Sequence, residues 1–343
     1  MKALMLEAYH QLSIVDVPTP TPDPGEVLIR VQACGICGSD VHGLDGSTGR
    51  RQPPIIMGHE ASGVIEQVGP GVTEWRAGDR VTFDSTISCG RCFFCRRGQA
   101  NLCDNRQVLG VSCDEYRRHG AFAEYVVVPE TVLYRLPDGV SFVQAAMVEP
   151  VSVALHAVGR AKIAINDTAV VVGAGMIGLF LIQALRLAGC GSVIAVDLVP
   201  EKLDLARRLG ADITLRSDQD DVPGLVRELT EGRGADLAFE AVGITPTVRL
   251  AIQTLRKGGT AVLVGNLSPT VELPLQAVVT QEITVLSSCA INGEYAAALD
   301  LIDRGAINVD ALVSATAPLE EGPGWFERLY RQEPGLLKVV LQP

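Results

Sequence analysis

The segment TAVVV, Thr168 to Val172, runs directly into Gly173-Ala174-Gly175-Met176-Ile177-Gly178 and then into the apolar stretch LFLIQALRLAG. A G-x-G-x-x-G set between an apolar strand and a helix commits the chain to a βαβ unit whose turn holds a dinucleotide. Gly173 is expected to allow the tight turn, Gly175 to let a pyrophosphate approach the backbone, and Gly178 to let helix and strand pack closely. Met176 and Ile177 then lie in the first helical turn, where free N–H groups favour phosphate. The next apolar strand, SVIAVD, ends at Asp197, nineteen residues beyond Gly178. A carboxylate there accepts from two ribose hydroxyls and repels a 2′-phosphate, which points to NAD over NADP. The other reading of Asp197 is a helix cap or turn residue, and Lys202 lies over the adenosine side or is a solvated helix residue.

The texture around this unit is regular. Beyond about Val151, strands TAVVV, SVIAVDL, DITLRS, DLAFEAVG, TAVLVGN and ITVLSS alternate with amphipathic stretches such as PEKLDLARRLGA, the pattern of a doubly wound parallel α/β sheet. Residues 1 to about 150 differ. They are rich in Gly, Pro and short alternating segments, EVLIRVQA, ASGVIEQVG, DRVTFD and FAEYVVVP, which read as an irregular all-β lobe. After about Val285 come helix candidates in NGEYAAALDLIDRG and PGWFERLYRQ, then a closing strand KVVLQ, a tail expected to fold back onto the first lobe. A length of 343 residues exceeds what one core usually fills, so two domains are expected. With 47 % apolar and 20 % charged residues there is ample core, yet no apolar run approaches the roughly eighteen residues of a membrane span. A formal charge of −11 argues against a nucleic-acid partner.

Cys89, Cys92, Cys95 and Cys103 stand in CGRCFFCRRGQANLC, a C-x2-C-x2-C-x7-C spacing that lets four thiolates face one Zn²⁺. Two disulfides are the alternative. They are disfavoured by the chain length, by an N-terminus (MKALMLEAYHQL) without a secretory leader, and by Cys34, Cys37, Cys113, Cys190 and Cys289, which leave the total odd. The expected compartment is a reducing cytoplasm. Arg91, Arg96 and Arg97 are expected to offset the tetrathiolate charge.

Cys37-Gly38-Ser39-Asp40-Val41-His42, then Gly58-His59-Glu60, then Glu149-Pro150 have bland readings singly: a buried thiol, a satisfied imidazole, surface or capping carboxylates. Together a thiolate, an imidazole and a carboxylate from separate loops suit a catalytic zinc that keeps a position open.

The run of GICGSDVH, GHEASGVIEQVGPGV, GDRV, the four-cysteine lobe, GAFAEYVVVP, EPVSVALHA, GAGMIG and the terminal KVVL resembles the zinc-dependent medium-chain dehydrogenase/reductases nearly end to end, and within them the polyol (sorbitol or L-iditol) dehydrogenase branch. That resemblance implies a GroES-like β-rich catalytic domain over 1–152, with a structural zinc lobe at about 86–106. It further implies a Rossmann NAD-binding domain over 153–286 and a C-terminal return over 287–343. It makes Cys37, His59 and Glu60 ligands of a catalytic zinc, with Glu149 binding directly or through water, and makes two zinc ions per chain. Asp40 is implied to hold the second ring nitrogen of His59, and Ser39 and His42 to relay a proton from the substrate hydroxyl. His42 also reads as a structural histidine. Val242, Val264, Gly265 and Lys338 are implied cofactor contacts. The implied reaction passes hydride from a polyol or secondary alcohol carbon to NAD, in a homo-oligomer, tetramer or dimer.

Some positions depart from the branch. Gly43 stands where sorbitol dehydrogenases carry a bulky aromatic, and Ser288, Cys289 and Ala290 replace an arginine and an aromatic, so a wider pocket is expected. Arg50 and Arg51 read as a solvated loop pair, or as a site for an anionic group such as a sugar phosphate. Alternative activities are those of L-threonine 3-dehydrogenases and butanediol dehydrogenases, and a non-catalytic NAD-binding role would call for loss of Cys37, His59 or Glu60, all of which are present.

Overall fold

The structure, a computed structural model, describes residues 1–113 and 116–343, the backbone alone at 113, 116 and 117. The chain divides into two units, Met1–Glu149 with Ile291–Pro343, and Pro150–Ala290. The family resemblance implies these boundaries after residues 152 and 286.

The first unit is organised by strand Glu26–Gly35, which is paired along both of its edges and is buried apart from the exposed Arg30 and the half-buried Glu26 and Gln32. Along one edge it pairs antiparallel with Glu60–Val68, setting Cys34 opposite Ala61 and Gly35 opposite Glu60. Its other edge takes Tyr125–Pro129 near the start and, near the end, the closing strand Lys338–Gln342, with Val340 opposite Gly35. Lys338–Gln342 is in turn parallel to Val313–Pro318. The tail therefore contributes ladder hydrogen bonds to the sheet that carries the first lobe. Beneath the sheet, Leu4, Leu6, Ile29, Phe83 and Phe122 form a dry core with Phe326 of helix Gly322–Tyr330, the Phe122 and Phe326 rings meeting edge to face with centroids 5.6 Å apart.

Residues Lys2–Ala8 and Gln11–Asp16 form an antiparallel hairpin, in keeping with the all-β reading, which one local feature corrects. A short helix, Phe142–Ala146, begins at Ser141, whose Oγ accepts from Gln144 N while Gln144 Oε1 accepts from Ser141 N. That capping box is legible in the tetrapeptide SFVQ.

The second unit holds six parallel strands in the order Ile213–Arg216, Ser192–Asp197, Thr168–Val172, Ala235–Glu240, Leu255–Leu263, Thr284–Ser287. In chain order this is 3-2-1-4-5-6, the doubly wound arrangement, which reverses direction beside Thr168–Val172. A ligand binds at the carboxyl ends of the strands flanking that point. Val170, Val172, Ile194, Val196 and Ala238 lie in its core, which explains why these strands read as continuous apolar runs.

Candidate metal centre and nucleotide site

Sheet register builds the first site. Gly35 opposite Glu60 puts the loop after one strand, Cys37 onward, beside the residues that open the next, His59 and Glu60. One donor atom from each of Cys37, His59 and Glu60 falls within 4.8 Å of the others. Cys37 caps the short turn Gly38–Val41, its Sγ accepting from Ser39 N at 3.5 Å and from Ser39 Oγ at 3.3 Å. Asp40, fully buried, lies behind His59: its Oδ1 is 3.5 Å from His59 Nδ1, and its Oδ2 accepts from Cys37 N at 3.3 Å. Because 3.5 Å is long for a hydrogen bond, His59 Nδ1 is a buried polar atom without a formal partner. Burial alone would lower the His59 pKa, but the Asp40 and Cys37 charges raise it well above the ordinary value. This imidazole therefore sits where positive charge is favoured, and the donor set of thiolate, imidazole and carboxylate fits a divalent zinc supplying that charge in place of a proton.

Glu60 and Lys338 meet in the same place. Glu60 Oε2 accepts from Lys338 Nζ at 2.5 Å, and the ammonium also donates to Ile36 O at 3.0 Å. Burial would lower the Lys338 pKa, yet the Glu60 and Cys37 charges raise it. A Cβ at Gly35 would stand 2.4 Å from Glu60 Oε2, so that position admits only glycine while the pair is formed. Lys338, expected among the cofactor contacts, thus has its ammonium committed within the first unit. Glu149, in the first turn of helix Val148–Arg160, does not lie within 4.8 Å of all three of Cys37, His59 and Glu60. Burial, reinforced by Glu60 and opposed by His59, pushes its carboxyl up to about 7. His42 closes the turn with its backbone N–H, and among the described residues no hydrogen bond joins it to Ser39.

Arg51 departs most from expectation. It is not a solvated loop residue but is 1 % exposed, its Nη2 2.6 Å and Nε 3.2 Å from Asp40 Oδ1 and its Nη2 3.2 Å from Ser39 Oγ. With His59 it holds Asp40 well below the usual carboxylate range, against a burial effect in the other direction. Arg50 is exposed.

The four-cysteine lobe is assembled as the spacing predicts. Cys89, Cys92, Cys95 and Cys103 are free thiols whose sulfurs lie within 4.8 Å of one another, with Cys92 and Cys95 at 3.5 Å. Tetrahedral Zn–S bonds of about 2.3 Å need sulfurs about 3.8 Å apart, so the group fits zinc. Arg97, expected to offset its charge, stacks over the Phe93 ring at 4.1 Å. One unforeseen side chain fastens the lobe: Asn292 accepts from Ala100 N at 2.9 Å and donates to Gly98 O at 2.8 Å.

In the second unit, the fingerprint glycines occupy three different environments. Gly173 has φ 99°, and a Cβ there would strike Val242 Cγ2. Gly175, the N-cap of helix Met176–Leu187, has open space where a Cβ would go, and Gly178 would place one 1.8 Å from Gly173 O. Asp197 ends its strand and binds backbone: Oδ2 accepts from Ala174 N at 2.7 Å, Oδ1 from Leu198 N and Val199 N. It is thus a turn residue, with carboxylate lone pairs left over. Lys202 is half-buried in helix Pro200–Arg208. Val242, Val264 and Gly265 are gathered by a residue sequence reading missed, the fully buried Glu240. Its Oε1 accepts from Val242 N, Gly243 N and Thr247 Oγ, and its backbone carbonyl from Val264 N and Gly265 N. The signal was an acid closing the apolar strand DLAFE.

Comparison with known proteins agrees with this geometry. Residues 23–138 match the alcohol dehydrogenase GroES-like domain family, and 177–304 match the zinc-binding dehydrogenase family. The D-arabitol-phosphate dehydrogenase of Enterococcus avium and the sorbitol dehydrogenase of Bacillus subtilis (strain 168) are each 32 % identical, over 100 % of this chain and 97 % of theirs. A solved zinc-binding dehydrogenase structure from Sinorhizobium meliloti 1021, bound to NADP, is 34 % identical, with a TM-score of 0.91 over 100 % of this chain and 99 % of that one.

Proposed function

We propose, from the premise that this chain belongs to the zinc-dependent medium-chain dehydrogenase/reductase family, that its substrate is an uncharged polyol or other secondary alcohol and that NAD is its preferred hydride acceptor. Membership itself makes the protein a zinc-containing alcohol or polyol dehydrogenase. The observation that carries the reading is the convergence of Cys37, His59 and Glu60 in a chain that also has the dinucleotide turn at Gly173–Gly178. Arg51 is spent on Asp40, so the loop retains the exposed Arg50 but not a paired guanidinium site for phosphate, which favours a neutral substrate. The preference for NAD rests on Asp197, whose negative charge opposes a 2′-phosphate. Assembly as a dimer or tetramer and a cytoplasmic location belong to the same proposal and rest on the family resemblance and the free thiols.

Zinc bound by Cys37, His59 and Glu60 would supply Lewis acidity, which eases loss of a hydroxyl proton near neutral pH. The protein residues then have separate tasks. Asp40 orients His59. Lys338 engages Glu60 Oε2 and leaves Oε1 as a second acceptor on the same group. Ser39 presents a hydroxyl beside Cys37 Sγ, within reach of a proton released there, and His42 is the proposed next carrier. Glu149, a half-buried residue whose carboxyl lies near the same group, is proposed to bind that zinc directly or through its water.

A panel of polyols, vicinal diols, polyol phosphates and L-threonine, each with NAD and with NADP, tests the reading through cofactor absorbance. Turnover is expected with the neutral alcohols and NAD. Faster turnover of a polyol phosphate or of L-threonine would replace the substrate class, and equal rates with NADP would remove the role given to Asp197.

A further inference from the structure

The guanidinium of Arg51 touches both the carboxylate behind His59 and the hydroxyl beside Cys37, yet the chemistry above assigns it nothing. We propose that Arg51 is a positioning residue of the catalytic metal centre, holding the Cys37–Asp40 loop and His59 in ligating geometry, and that Gly43 exists to make room for it. The proposal rests on Cys37 and His59 being metal ligands.

Asp40 is fully buried, and a single oxygen, Oδ1, faces both His59 Nδ1 and two Arg51 nitrogens. An imidazole that binds a metal through one nitrogen is neutral, so it cannot by itself balance a buried carboxylate. Arg51 carries a charge that does not titrate at working pH, and it balances Asp40 whether or not the metal is bound. The same Nη2 donates to Ser39 Oγ, which occupies an acceptor site on that oxygen and directs its proton toward Cys37 Sγ. Asp40 Oδ2 meanwhile accepts from Cys37 N. One cation thus fixes the partner of one ligand, the hydroxyl on a second, and the turn that joins them.

Gly43 supplies the space. An added Cβ there would lie 2.3 Å from Arg51 Cγ, 3.1 Å from Arg51 Cβ and 3.2 Å from Asp40 O. Its φ is not positive, so the backbone would accept a side chain. The glycine is required by the passage of the arginine stem rather than by conformation. A substitution at Gly43 therefore presses first on the Arg51 stem and, less closely, on the Asp40 carbonyl, without removing any polar group, so its agreement with Arg51→Lys is what separates positioning from simple loss of charge.

The test uses the zinc-loaded full chain and the variants Gly43→Ala, Arg51→Lys, Arg51→Met and the double variant Gly43→Ala/Arg51→Met. Zinc retention is measured by competition with a chromogenic chelator, the cobalt-substituted protein is followed by its visible spectrum, and NADH binding and melting are recorded alongside. Gly43→Ala and Arg51→Lys are expected to bind NADH normally and to hold the catalytic metal about 10–100-fold more weakly, with a changed cobalt spectrum. The losses in the double variant are expected not to add, because both changes break one contact. If Arg51→Met fails to fold, Gly43→Ala and Arg51→Lys still decide. Native metal affinity and cobalt spectrum in both of these would overturn the proposal. An unmodified protein that carries only the four-cysteine metal would instead sink the underlying ligand assignment.

Discussion

Glu60 and Lys338 are each at most 2 % exposed, so neither charge has water to fall back on, and their contact at 2.5 Å is what makes both tolerable. In the protein stripped of its catalytic metal, Lys338→Met leaves a buried carboxylate alone and is expected to cost about 3–5 kcal/mol in denaturant unfolding. NADH affinity is expected to stay unchanged, because the ammonium is turned to Glu60; a variant that loses NADH binding would place Lys338 among the cofactor contacts. Asp84 shows the opposite case, a half-buried carboxyl with no cation paired to it among the described residues. Burial, helped by Glu294 and opposed by the Thr86 N–H and hydroxyl, pushes it up to about 6 from an ordinary 3.8. Its folded pKa is raised, so its contribution to stability is complete below about 3.8 and is lost as pH rises through about 6. Asp84→Asn keeps an acceptor for Thr86 N and should stabilise the protein at pH 8 by up to about 3 kcal/mol, with no gain near pH 3.5. Equal melting shifts at both pH values would show that Asp84 ionises as freely as an exposed acid.

At the scale of elements, the turn between strand Thr168–Val172 and helix Met176–Leu187 separates ligand approach from packing. Gly178→Ala sets a methyl 1.8 Å from Gly173 O, a clash with backbone that can be relieved only by moving the helix. A loss of about 1–3 kcal/mol is expected, together with weaker NAD binding. Gly175→Ala meets nothing within 4 Å and has φ −75°, so the fold should melt within a degree or two of native while NAD binding alone falls. Calorimetric melting paired with NADH titration distinguishes the two; a Gly175→Ala protein that binds NADH natively would mean that the pyrophosphate does not approach there. Glu240 belongs to this scale as well, since one carboxylate and one carbonyl at a strand end organise the two loops that carry Val242, Val264 and Gly265.

At the scale of the molecule, the first unit is built from two distant stretches of chain. Its sheet is complete only when Lys338–Gln342 has paired with Glu26–Gly35, and its cysteine lobe is clamped by Asn292 from the returning segment. Metal and chain return therefore support one cooperative unit. Metal analysis should find two zinc ions per chain, and Cys95→Ser should lose one of them along with several degrees of melting temperature, because a structural zinc contributes to folding directly. One zinc in the unmodified, active protein would contradict this.

The sequence by itself determined whatever is written in local spacing. The glycine turn and its strand, the alternation that produces six parallel strands, the four-cysteine lobe and the closing strand KVVLQ each declare themselves within a few to a few dozen residues, because turn sterics, side-chain period and metal-ligand reach are short-range constraints. The ligand residues Cys37, His59 and Glu60 were legible as candidates on the same ground. Only the tertiary structure decided which charges oppose which. Lys338 reaches Glu60 across 278 residues and Asn292 reaches the cysteine lobe across 192 and 194, and even the nearer Arg51 enters the interior only because Gly43 leaves a channel for its stem. A basic residue in a polar loop looks the same in sequence whether it is solvated or buried; burial is a property of the assembled sheet, and that distinction sets Arg51 behind the metal ligands rather than in front of a substrate phosphate.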